Sequence, residues 1–141
     1  MSQPGQVSPN HQRILALYAA YAAGQRAAFH DILAPDITWY SAGPPDLPWA
    51  GARTGRDAVH AYFDILSVHS DVEGYTPEHS VEQGEWLILL GTLRVRVRSN
   101  GIAEDYRKVD AFRFKDGRIA EFREYYDTAS ALAHFNRAPA D

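Results

Sequence analysis

Cysteine is absent from the 141 residues. Its absence removes disulfides, thiolate nucleophiles and every cysteine-based zinc site. A basic excess is missing as well: 14 Lys and Arg stand against 18 Asp and Glu, a formal net charge of −4. Proteins that grip nucleic acid carry the opposite balance, so no nucleic-acid partner is expected. No apolar run approaches the roughly 18 residues of a membrane span, so no membrane partner is expected. The start, Met1 to Asn10, is polar and lacks the basic and apolar regions of a secretory signal; the expected location is cytoplasmic. What remains is an ordinary soluble composition, 45% hydrophobic and 23% charged. A chain of this length makes one domain and buries about two-thirds of its unfolded surface without a metal or disulfide.

Residues 1–9 read as a disordered lead, 10–135 as a single domain and 136–141 as a flexible tail. Ile14, Leu17, Tyr18 and Tyr21 recur at helical spacing, with Asn10 as the expected N-cap and Gly24 as the stop. A second short helix carries Ala28, Phe29, Ile32 and Leu33 on one face and ends at Pro35. Asp36 to Ser41 reads as a strand, Ala42 to Ala52 as a loop, and about Thr54 to Ser67 as a third helix with Val59, Phe63 and Leu66 inward. Leu47 and Trp49 are unusual for a bare loop and are expected to pack down. Strands follow at Val72–Val81, Trp86–Arg98, Ile102–Lys115 and Arg118–Tyr126, with a short helical tail from Ala129 to Phe135. Helices first and an antiparallel sheet second define the α+β class.

Two turns serve as rulers, because side chains alternate faces and a turn fixes register. Asn100–Gly101 as a two-residue turn sets Val95 opposite Tyr106, Leu93 opposite Lys108, Gly91 opposite Asp110 and Leu89 opposite Phe112. The next turn admits two readings. Asp116–Gly117 alone sends Phe122 to the other face, whereas a three-residue loop from Lys115 keeps the aromatics together. The second reading is adopted. It sets Asp110 opposite Phe122 and Lys108 opposite Glu124, with Gly117 left-handed. One face then holds Leu89, Leu93, Val95, Tyr106, Phe112, Phe114, Phe122 and Tyr126, with Lys108, Asp110 and Glu124 among them.

Charges on an apolar sheet face are costly unless paired or useful. In one reading Lys108 and Glu124 pair across strands and Asp110 is hydrogen-bonded to a helix or a tyrosine. In the other the face lines a pocket, with Gly91 marking close approach. Desolvation would raise the Asp110 pKa and Lys108 would lower it, so its direction is left open.

The segments "VDAFRFKDGRIAEFREYYD" (109–127) and "LPWAGARTGRDAVHAYF" (47–63) resemble SnoaL-like polyketide cyclases and ketosteroid-isomerase-like proteins of the nuclear-transport-factor-2-like superfamily. The resemblance implies a cone-shaped curved antiparallel sheet packed against three N-terminal helices. It implies Asp110 as the acid/base aspartate of the cyclases and as the isomerase's neutral carboxylic acid, which donates a hydrogen bond to the substrate oxygen. The isomerase's base aspartate falls at Ser41, and its first-helix tyrosine falls at Leu17, one residue from Tyr18. The Asp-Arg-Asp set of limonene-epoxide hydrolases is not matched.

The six histidines show no metal-ligand spacing, and neither a metal nor a cofactor is implied. His79 lies where it reaches either the pocket or the surface. The expected function is binding of a small apolar, oxygen-bearing ligand, with general acid/base isomerisation, cyclisation or dehydration as the chemistry. Asp110 is the candidate catalytic residue. Lys108, Glu124, Tyr106, Trp39, Trp49, Phe112, Phe122 and Tyr18 are the candidate binding residues. The alternative is a non-catalytic ligand-binding or dimerisation module, favoured by the missing base. A convex strip of Trp86, Ile88, Leu90, Thr92, Val109, Ala111, Ile119 and Tyr125, rimmed by arginines, is the expected homodimer surface.

Overall fold

In a computed structural model that describes residues 7–139, the first helix is capped at Ser8, two residues before the expected Asn10. Helix α1 spans Pro9–Ala22, and the Ser8 hydroxyl accepts from the His11 N–H at 3.0 Å. Serine caps well and proline suits the first helical position, where no N–H is needed. Of the expected lead, residues 1–6 lie outside the described residues, as do residues 140–141 of the expected tail.

The order continues with α2 (Ala28–Ile32), β1 (Leu33–Ser41), β2 (Gly51–Thr54), α3 (Arg56–His69), β3 (Ser70–Gln83), β4 (Trp86–Val97), β5 (Ala103–Lys115), β6 (Arg118–Tyr126) and α4 (Thr128–Phe135). The strands form one curved sheet in the order β2-β1-β6-β5-β4-β3. It is mixed rather than wholly antiparallel, because β1 runs parallel to β6. Leu33, expected in a helix, and Pro35, expected to end it, both belong to β1. Pro35 is tolerated there because the β1–β6 ladder is interrupted between Leu33 and Thr38. Among the described residues no helix is long and apolar enough to cross a membrane.

Both hairpin registers differ from expectation while preserving the faces. At Asn100–Gly101 the pairing is Leu93↔Tyr106, Gly91↔Lys108, Leu89↔Asp110 and Leu87↔Phe112, two residues from the expected register. A two-residue type I′ turn needs positive φ at both central residues. Gly101 has φ +72°, but Asn100 does not. The Asn100 side chain accepts from Ile102 N–H at 2.9 Å and donates to the carbonyls of His134 at 2.8 Å and Arg137 at 3.1 Å. Asn100 thus ties α4 to the hairpin, and the loop lengthens around it.

The second turn is the two-residue Asp116–Gly117, with φ of 52° and 77° and Lys115 opposite Arg118. The three-residue loop is therefore wrong. A bulge between Arg113 and Phe114 then shifts the register by one. It puts Phe112 opposite Phe122, Asp110 opposite Glu124 and Lys108 opposite Tyr126. The bulge keeps Phe122 on the inner face, and it also turns Ile119 inward, fully buried, rather than onto the convex strip.

Helices α1, α2 and α3 cover the concave side. Ile14, Leu17, Phe29, Val59 and Phe63 pack there with Leu87, Leu89, Phe112 and Phe114 of the sheet. Leu47 and Trp49 do pack down, at 1% and 8% exposure.

Candidate functional site

A cavity of about 210 Å³ lies inside the cone, between the sheet and the helices. Tyr18, Trp39, Trp49, Tyr106, Lys108, Asp110, Phe112, Phe122 and Glu124 all line it, so every sequence-predicted site residue meets in one place. The alternating faces of β5 and β6 supply the sheet wall. Tyr18 comes from α1 and Trp39 from β1. Trp49 comes from the loop before β2, with its Nε1–H donating to Tyr126 Oη at 2.8 Å.

Three charged side chains sit in this apolar wall. Lys108 Nζ lies 2.7 Å from Glu124 Oε2 and 3.2 Å from Asp110 Oδ1. Glu124 is well supplied with donors: Ser41 Oγ and Tyr62 Oη both donate to its Oε1, the latter at 2.8 Å. Asp110, 1% exposed, receives the Tyr18 hydroxyl on Oδ2 at 2.6 Å. Its Oδ1 accepts no hydrogen bond of proper geometry. The 3.2 Å approach of Lys108 to it is an ion-pair contact, longer than the 2.7 Å approach of the same ammonium to Glu124.

These surroundings drive the two carboxyls apart. Burial raises Asp110, Lys108 opposes it and the Glu124 charge adds to it; the net direction is up. Burial would raise Glu124 too, but the Lys108 charge and the bonds from Lys108, Ser41 and Tyr62 hold it below the usual range. Burial alone would depress Lys108, yet the two carboxylates outweigh that and push its ammonium up. The site thus holds a Lys108–Glu124 pair, each pushed toward its charged form, beside a carboxyl pushed toward its neutral form.

Ser41, Tyr62, Tyr75 and His134 escaped the sequence reading. Ser41 was noticed only as the place of a missing base, and in the folded chain its hydroxyl serves Glu124. Tyr62 lies on the same α3 face as Val59 and Phe63, so its helical spacing could have placed it inward. His134 is buried in α4: its Nε2 is 2.7 Å from the Ile102 carbonyl and its Nδ1 is 2.6 Å from Tyr106 Oη. Donation to the carbonyl through Nε2–H leaves Nδ1 as the acceptor of the Tyr106 hydroxyl. His79 is exposed and does not line the cavity. Among the described residues no group of three or more His, Asp or Glu side chains could hold a metal ion.

Residues 14–122 match the SnoaL-like domain family, and the chain belongs to that family. No curated protein matches it. Among solved structures it is similar to an NTF2-like protein of unknown function from Burkholderia pseudomallei. That protein is 26% identical with a TM-score of 0.81, over 93% of this chain and 100% of that one. An NTF2-like protein from Burkholderia xenovorans is 28% identical with a TM-score of 0.78, over 90% and 95%. A protein of ketosteroid isomerase-like fold from Catenulispora acidiphila, in complex with trimethylamine, is 16% identical with a TM-score of 0.75, over 94% and 96%. The fold is therefore the NTF2-like cone, which hosts isomerases, cyclases and ligand binders.

Proposed function

We propose that the chain binds a small apolar, carbonyl-bearing molecule in the cone and that Asp110 performs general acid/base chemistry on it: isomerisation, cyclisation or dehydration. The observation that carries this reading is the contrast between two adjacent carboxyls. Glu124 has Lys108 at 2.7 Å and two hydroxyl donors, Ser41 and Tyr62, while Asp110 has one hydroxyl donor, Tyr18, and at its buried Oδ1 only the longer 3.2 Å ion-pair contact of Lys108. A buried polar atom without a hydrogen bond costs about 1–3 kcal/mol, and a catalytic role is one reason to keep one. A protonated Asp110 donates a proton to the carbonyl oxygen while water takes the α-proton, giving the enol; when the enol collapses its O–H proton returns to Asp110 and the α-carbon takes a proton from water. Trp39, Trp49, Tyr106, Phe112 and Phe122 supply the apolar wall against the ligand's rings, and Lys108 and Glu124 set the Asp110 charge. Exchange of the α-protons of β-tetralone in D₂O, followed by proton NMR, tests it. The native chain accelerates exchange, and Asp110→Asn loses the acceleration with little change in melting temperature. Exchange at the uncatalysed rate with native protein would refute the catalytic claim.

A specific observation favours the non-catalytic alternative. Ser41 stands where the isomerase base would be, and its hydroxyl is occupied by Glu124. On that reading β-tetralone binds without exchange. Both readings include a homodimer through the convex face. Leu90 and Tyr125 are 39% and 42% exposed there, and the Arg123 guanidinium lies 6.0 Å from the Trp86 ring centre at its edge. A two-fold copy of the same face is the simplest cover for such a patch.

A further inference from the structure

Two of the histidines meet outside the cone. His30 of α2 and His60 of α3 are 30 residues apart in the chain, yet His30 Nδ1 lies 3.0 Å from His60 Nε2. The cause is the packing beneath them. Phe29 and Phe63 stand with ring centres 4.6 Å apart, which presses α2 against α3, and each histidine is within a turn of one of these anchors. The imidazole planes are within 14° of each other and the ring centres are 5.3 Å apart, so the two nitrogens lie between the rings. His30 is exposed and His60 half-buried. No sequence spacing announces the pair, because packing and not chain proximity brings the rings together.

The chemistry of the cavity gives this pair no task. A neutral imidazole has one N–H and one lone pair, and the proton of the His30–His60 bond sits between the rings. Moving it to the outer nitrogen of its own ring leaves two lone pairs at the gap, with no proton lost. Neutral imidazole is the commonest protein ligand for metal ions, and the spacing selects among them. Two nitrogens at right angles around an ion, each about 2.0–2.1 Å from it, stand about 2.8–3.0 Å apart, whereas a tetrahedral ion spreads them to about 3.3–3.4 Å. The observed 3.0 Å fits the right-angled case, which Cu²⁺ and Ni²⁺ favour and Zn²⁺ does not. The local charge suits a cation as well. Asp31, Asp57 and Asp64 flank the pair in sequence. The one nearby guanidinium, Arg26, is held by Asp64 Oδ1 at 2.9 Å and the His60 carbonyl at 3.2 Å.

We propose that His30 and His60 form a two-imidazole site for a divalent late transition-metal ion, Ni²⁺ or Cu²⁺, with water completing its coordination. Two protein ligands make an open, exchangeable site. The ion would clamp α2 to α3, and with them Phe29 and Phe63, which line the cavity. The site stands apart from the chemistry assigned to Asp110, and neither reading depends on the other.

Calorimetric titration of Ni²⁺ into the full, tag-free chain, in a non-coordinating buffer at about pH 7.5 where imidazole is free to ligate, tests the proposal. One ion binds per chain. His30→Asn and His60→Asn each weaken binding about tenfold or more, because either change turns a chelate into a single ligand. His79→Asn, at an exposed histidine elsewhere, leaves binding within about twofold. Ni²⁺ raises the melting temperature of the native chain but of neither weakened variant, and a chelator removes the rise. Circular dichroism of the metal-free variants checks that both fold. If the native chain binds Ni²⁺ no more tightly than the variants, or if only one of the two histidines matters, the pair is a hydrogen bond between helices and the proposal is overturned. Tighter binding of Zn²⁺ than of Ni²⁺ would overturn the right-angled assignment.

Discussion

Lys108 Nζ lies 2.7 Å from Glu124 Oε2, and that pairing holds the Glu124 pKa down while burial pushes the neighbouring Asp110 up. Asp110 is directly opposite Glu124 across the β5–β6 ladder, but the ammonium leans the other way. One cation shared unequally between two carboxyls is enough to separate their protonation, because like charges in a dry site raise the less favoured partner.

The arrangement makes the lysine structurally indispensable. Lys108→Met leaves two carboxyls facing each other without a counter-ion. Removing one partner of a buried ion pair costs about 3–5 kcal/mol. Urea unfolding at neutral pH should show a loss of that order, and adding Glu124→Gln should recover part of it. A Lys108→Met loss below about 1 kcal/mol would mean the pair is solvated.

Stability should respond to pH in two opposite ways. Asp110 has a raised folded-state pKa. Its contribution is present below the unfolded value and is lost as pH rises through the folded one. Glu124 has a lowered pKa, so its contribution is present above the unfolded value and fades as pH falls through the folded one. Thermal melts between about pH 4 and about pH 9 should show Asp110→Asn gaining on the native chain as pH rises. Parallel curves for the two proteins would contradict the raised pKa.

Much of this site was legible because strand alternation is robust. Lys108, Asp110, Phe112, Phe122 and Glu124 share a face in the sequence, and they share it in the fold. Neither error of register moved them, for different reasons. The Asn100 loop displaced β4 by two residues, which preserves the face. The bulge between Arg113 and Phe114 restored the parity that the shorter turn would have broken. What could not be read was set by distant contacts: the grip of Asn100 on α4, the bulge that buries Ile119, and the seating of Tyr75 on Gly91. Strand β2, four residues with no apolar alternation, left no pattern to find.

The Asp116–Gly117 turn gives a local test. Gly117, at φ +77°, should resist a Cβ, and Gly117→Ala should cost about 1 kcal/mol or more. The carbonyl of Gly117 also accepts from Arg13 Nη1 at 3.0 Å, so the turn is anchored to α1. Asp116→Gly, which relieves a left-handed non-glycine residue, should be neutral or stabilising by chemical denaturation. A clear loss would show that the Asp116 side chain contributes more than its backbone costs.

The convex face can be tested independently of the cavity. Light scattering at micromolar concentration should give about twice the 15.8 kDa chain mass, and Leu90→Arg should return it to the monomer. A native monomer would mean that the arginines shield the strip unaided.

Carbon-detected NMR titration of the Asp110 carboxyl tests the central claim most directly, since it needs neither ligand nor substrate. The account predicts a midpoint clearly above the ordinary aspartate value of about 3.9, while Glu124 titrates below its own. An Asp110 carboxyl ionised throughout, with a midpoint at or below that ordinary value, would contradict the account.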